Sequence, residues 1–127
     1  MSDLHDRVRG VTGFDMPVMN AELARLEIEC ENAKADYEAV KEMAKVSLDN
    51  IALNWAAPEE RRTGKRPSEA RAEREARVSP EYKTIVDGVK EAHKTWGRAK
   101  ALAKQQDNDI WAARQAISFA KTELQNS

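Results

Sequence analysis

The sequence predicts an all-α protein: a long antiparallel helical hairpin, coiled-coil-like, with a short helix between its arms and hairpins that associate into an oligomer. Three observations carry this. Two stretches place apolar residues at alternating spacings of three and four, which is the heptad pattern of helices packed along a seam. A cluster of breakers separates the two stretches. The chain also holds only five Gly and four Pro in 127 residues, with 41% hydrophobic and 34% charged residues, a composition suited to long solvated helices.

The first seam is Met16, Met19, Leu23, Leu26, Cys30, Ala33, Tyr37, Val40, Ala44, Ser47, Ile51 and Asn54, ten of the twelve apolar. With Asn20 as a cap and Pro17 just before it, the first long helix is expected over about 20–57, ending where Pro58 stops it. The second seam is Tyr82, Ile85, Val89, Ala92, Trp96, Ala99, Ala103, Gln106, Ile110, Ala113, Ile117, Ala120 and Leu124, with Gln106 the one polar member. Ser79-Pro80 starts that helix, the Ser side chain accepting a first-turn N–H and Pro occupying the first helical position. It is expected to run over about 80–125. Between the two lie a loop over 58–67 and a short helix over 68–77 capped by Ser68. A connection this short makes the long helices antiparallel neighbours, and the many seam alanines let them approach closely. The expected organisation is an N-terminal segment over 1–19, partly flexible, then a single hairpin domain over 20–127 with its basic connection at 58–79.

One seam does not house every bulky group. Leu48, Leu53, Trp55, Val86, Leu102, Trp111 and Phe119 fall off it, and two helices cannot bury them between themselves. Left exposed together they would form an unusually large apolar patch. Self-association is the expected remedy, with Leu102, Trp111 and Phe119 as the oligomer interface.

Little in the chain suggests catalysis. The two histidines, His5 and His93, and the single Cys30 offer neither metal-ligand spacing nor a Cys–His pair, and no phosphate loop or nucleophile elbow appears. No catalytic residue, metal or cofactor is therefore expected, and the protein is read as a non-enzyme. Tyr37 and Trp96 belong to the seams and are expected in the core. A lone cysteine suggests a reducing compartment. The absence of a long apolar run or of a basic-then-apolar leader argues against a membrane span or signal peptide, so a cytoplasmic protein is expected.

The net charge of −1 conceals a segregation. Residues 21–50 carry eight acids against four bases, whereas residues 51–77 carry seven bases against five Glu. Arg61, Arg62, Lys65 and Arg66 crowd the expected loop. Arg71, Arg74 and Arg77 recur every third position of the short helix, which keeps them within one broad face. Repeated around one end of an oligomer, these cations would form a rim able to hold phosphates. Trp55 nearby would offer a stacking surface for an unpaired base.

The order of parts resembles the small phage recombination mediators of the UvsY type. A heptad helix is followed by GKRPSEARAEREARV, then by SPEY at the start of a long helix containing Ala92-x-x-x-Trp96, and finally by IWAARQAIS. The resemblance covers roughly residues 20 to 125 and is a pattern of helices and breaks. Where that family carries a Lys-x-Arg pair before the turn, this chain has Ile51-Ala52-Leu53-Asn54, which moves the expected DNA contact to Arg61, Arg62, Lys65 and Arg66. The resemblance implies a ring-like oligomer in the host cytoplasm that binds single-stranded DNA and helps a recombinase replace a single-strand-binding protein. The alternative is an oligomeric coiled-coil interaction protein (inhibitor, chaperone or structural adaptor) without a nucleic-acid role, its basic connection docking on an acidic protein.

Overall fold

A computed structural model of the chain describes residues 2–126. They form four helices: α1 (Ser2–Thr12), α2 (Met16–Thr63), α3 (Glu69–Arg77) and α4 (Pro80–Asn126). No strand occurs among the described residues. The fold is the expected all-α hairpin, with α2 and α4 as its arms. It divides into two compact units, Met1–Glu31 with Gly97–Ser127, and Asn32–Trp96.

The termini of the helices follow from local chemistry. Gly13 closes α1 with φ +74°, its N–H donating to Arg9 O at 2.8 Å, the left-handed cap that glycine adopts without a Cβ penalty. α2 then begins one turn earlier than the sequence suggested. Asp15, rather than Asn20, is its cap, with Oδ1 accepting from Val18 N at 3.4 Å and O accepting from Met19 N at 3.0 Å. Pro17 is tolerated there because first-turn N–H groups have no intrahelical acceptor in any case.

Pro58 does not stop α2, contrary to expectation: the helix carries it internally and runs on to Thr63. Pro58 removes one hydrogen bond, but Glu59, Glu60, Arg61 and Arg62 are good helix formers, and Thr63 Oγ1 adds a bond to Glu59 O at 2.8 Å. The stop is Gly64, at φ +75°, whose N–H donates to Glu60 O at 2.8 Å. Ser68 caps α3 as expected, accepting from Arg71 N at 3.2 Å. Ser79 serves two helices. Its Oγ donates to Ala76 O at 2.7 Å at the end of α3 and accepts from Tyr82 N at 3.2 Å at the start of α4.

All thirteen α4 seam positions are buried or half-buried, as are eleven of the twelve on α2. In the unit Met1–Glu31 with Gly97–Ser127, the buried residues are Val8, Leu26, Ile110, Ala113 and Ala120. Gln106, the polar seam member, is satisfied there by donating Nε2 to Met19 O at 3.1 Å, a carbonyl with a second lone pair to spare.

In the unit Asn32–Trp96, the segments of α2 and α4 run antiparallel. Tyr37 stacks on Trp96 with ring centroids 5.5 Å apart, and His93 meets both rings edge-on at 5.1 and 5.9 Å. Further along α2, Leu48 shares a surface cleft with Tyr82 and Val86 of α4. Towards its C-terminal end the covered face of α2 rotates. Asn54 of the seam is exposed, while Leu48, Ala52, Trp55 and Ala56 are covered, because α3 packs on that side through Ala72 and Ala76. The third helix thus supplies the home that two helices lacked. Of the seven off-seam bulky residues, Leu48, Trp55 and Val86 are wholly or partly buried without any partner chain. Leu53, Leu102, Trp111 and Phe119 stay between 55% and 68% exposed.

Candidate nucleic-acid interface

The basic residues singled out from the sequence fall in three settings within the unit Asn32–Trp96. Arg61 and Arg62 are not in a loop. They occupy the last turn of α2, where positive charge meets the negative end of the helix dipole. Arg61 Nε donates to Ala57 O at 3.4 Å, and Arg62 pairs with Glu59 at 2.6 Å. The loop proper is Gly64 to Ser68, and Lys65 and Arg66 are both exposed on it. Thr63 Oγ1, whose proton goes to Glu59 O, also shapes the turn by accepting from Lys65 N at 3.3 Å.

On α3, the three arginines meet different fates. Arg71 lies with its guanidinium 5.3 Å from the centroid of the Trp55 ring, a cation–π contact. Arg77 pairs with Glu73 one turn back at 2.6 Å. Arg74 is exposed and enters no ion pair among the described residues. The expected stacking platform, Trp55, is therefore half-buried with one side taken by the chain's own cation.

Glu59 is the acid that takes up part of this positive charge. Its side chain is only 24% exposed. The Arg62 hydrogen bond outweighs partial desolvation and, with the charges of Arg62 and Arg71, holds its carboxyl below the usual carboxylate range. The Glu59 contact raises the Arg62 guanidinium correspondingly, and Glu73 does the same for Arg77. The i, i+3 spacing of Glu59 and Arg62 was the available signal.

Of the seven basic residues singled out, Arg61, Lys65, Arg66 and Arg74 enter neither an ion pair nor a contact with an aromatic ring among the described residues. They are exposed and carried on consecutive elements. Arg66 also borders a groove of about 380 Å³ between α2 and the start of α3, where Asp49, Glu69 and Glu73 bring acidic groups. The surface is mixed in sign around Arg66, and the exposed Glu60 adjoins Arg61.

The residues expected at an oligomer interface are separate from this site. Leu102, Trp111 and Phe119 are 55%, 66% and 68% exposed on α4. Trp111 and Phe119 share its outer face, whereas Leu102 flanks the seam about 26 Å along the axis from Phe119. Among the described residues no group of His, Cys, Asp and Glu is placed to hold a metal ion, and no helix is long and apolar enough to cross a membrane. Comparison with protein-family profiles, with curated proteins and with solved structures returned no match.

Proposed function

We propose that the connection between α2 and α4 binds the sugar-phosphate backbone of single-stranded DNA, and that the protein acts, as an oligomer, as a mediator assisting recombinase loading. The observation that carries the binding reading is the set of exposed, carboxylate-free cations Arg61, Lys65, Arg66 and Arg74 on one stretch of chain. Phosphate oxygens are the ligands such cations take, and phosphate contacts are blind to sequence. The recombination role, the recombinase and the single-strand-binding protein rest on the UvsY-type pattern described above. Leu102, Trp111 and Phe119 serve assembly in this reading.

A second reading is favoured by a specific observation. Arg71 covers Trp55, and Arg62 and Arg77 already hold carboxylates of the chain itself, so part of the basic segment is spent on the fold. An oligomeric interaction protein, docking Arg61, Lys65 and Arg66 on an acidic protein, uses the same surface.

Fluorescence anisotropy of a labelled oligonucleotide at several salt concentrations separates the two. The DNA reading expects affinity that falls steeply with salt. Replacing Arg61, Lys65, Arg66 and Arg74 by Ala is expected to reduce the slope by roughly 0.7 per lost phosphate contact. No binding at low salt and high protein concentration leaves the protein-only reading.

A further inference from the structure

A second stripe runs along α2 that the first seam does not include. Ala39, Met43, Val46, Asn50, Leu53 and Ala57 are spaced four, three, four, three, four. This is a heptad repeat in its own right, and all six residues are exposed, Met43, Val46 and Leu53 at 68%, 61% and 55%. No member is charged, in a helix whose other exposed faces are densely charged. The stripe is about 27 Å long and lies wholly within the unit Asn32–Trp96.

We propose that this stripe is a pairing face for a second copy of the chain, with the two α2 helices parallel and in register. Hydrogen-bonding complementarity between its flanks selects this occupant and orientation. One flank of the stripe is acidic, with Glu42 and Asp49. The other carries Ser47 and Asn54, hydroxyl and amide groups that donate hydrogen bonds.

In a parallel pair the flanks of the two copies alternate. Glu42 then meets Ser47 of the second copy, and Asp49 meets its Asn54, on both sides of the interface. In the antiparallel pair Asp49 faces Asp49 across the axis, and Asn50 lies against Val46 with no polar partner. Parallel pairing instead sets Asn50 against Asn50, where two amides satisfy each other. A single Asn at such a position fixes register and partner number at some cost in stability. Asn54, the one member of the first seam left uncovered where α3 turns the covered face of α2, is thereby available to this contact. The inference does not depend on DNA binding, though a parallel pair brings two basic connections to the same end.

The test uses the full chain with Cys30→Ser as background. After mild oxidation, Asn50→Cys is expected to give a covalent dimer of twice 14.3 kDa, whereas Lys83→Cys on exposed α4 is expected to stay single. Val46→Glu, at an exposed position where folding is unaffected, is expected to weaken association by on the order of 100-fold or more, since it seats unpaired charges in the seam. Circular dichroism checks that helicity is kept. Trp111→Ser with Phe119→Ser is expected to leave the Asn50→Cys cross-link intact, separating this face from the outer face of α4. Two results overturn the proposal. One is a parent protein that stays at 14.3 kDa at high micromolar concentration. The other is cross-linking only in a mixture of Met43→Cys with Leu53→Cys, which denotes antiparallel pairing.

Discussion

The guanidinium of Arg71 lies 5.3 Å from the centre of the Trp55 ring, so the segment's one aromatic side chain and one of its cations are committed to each other. That contact ties α3 to α2 beside the Glu59–Arg62 pair, and Arg71 also adds to the field on Glu59. Replacing Arg71 by Ala is expected to lower stability by about 0.5–1 kcal/mol, the range of cation–π contacts at exposed sites. It also bares the indole. With Trp96 and Trp111 replaced by Phe, acrylamide quenching of Trp55 fluorescence is expected to rise in the Arg71→Ala protein. Unchanged quenching would mean the ring is shielded by something other than Arg71.

Glu59 gives the chain a pH dependence of definite sign. Its carboxyl is held below the ordinary range in the folded protein, so its contribution is fully present above the unfolded-state value. It is lost as pH falls through the folded one. Urea unfolding along an acid series is expected to show wild-type stability falling towards that of Glu59→Gln, the difference closing at low pH. At neutral pH the same substitution frees Arg62 from its ionic partner. In the DNA-binding reading it is expected to tighten oligonucleotide binding and steepen the salt slope by roughly 0.7 if one more phosphate is held.

Glycines supply a paired prediction in opposite directions. Gly64 has φ +75°, and a Cβ there meets nothing within 4 Å, so Gly64→Ala suffers only the backbone penalty, about 1–2 kcal/mol. Gly88 and Gly97 are in helical conformation, and a Cβ at either also meets nothing within 4 Å. Neither marks a close approach to a neighbour. Gly88→Ala and Gly97→Ala are each expected to stabilise the protein by about 0.5–1 kcal/mol. Denaturation midpoints followed by circular dichroism check all three.

The two seams were legible because heptad spacing states directly which face of a helix is covered, and Ser68 and Ser79 were legible because their oxygens have one local use. Pro58 was misread. A proline costs one hydrogen bond, and that is outweighed when good helix formers follow and a glycine caps the end, as Gly64 does. The cover that α3 gives Leu48, Ala52 and Trp55 was not legible, since nine residues with a weak apolar face do not announce where they pack. At the candidate site, the sequence set four cations in a loop and three on one face of a short helix. Pairing within a turn, Glu59 with Arg62 and Glu73 with Arg77, was present in the spacing. The seating of Arg71 on Trp55 was not, because it requires α3 to fold back on α2.

The outer face of α4 yields the last prediction. Around Trp111 and Phe119 stand the exposed, uncharged Ala112, Gln115, Ser118 and Thr122, bordered by the exposed charges of Asp107, Arg114 and Glu123. The rest of the unit Met1–Glu31 with Gly97–Ser127 cannot draw these rings inward, because they point away from the seam that holds Ile110, Ala113 and Ala120. Two large aromatic side chains left in water on one helix face are characteristic of contact with another molecule. Trp111→Ser with Phe119→Ser is therefore expected to lower the particle mass seen by light scattering and to leave helicity unchanged, since neither side chain supports the fold. Leu102→Ser alone is expected to have a smaller effect, because Leu102 lies about 26 Å along the helix from Phe119 and outside that face. A parent protein of larger mass that the double substitution fails to reduce would place assembly on other surfaces, the α2 stripe first among them.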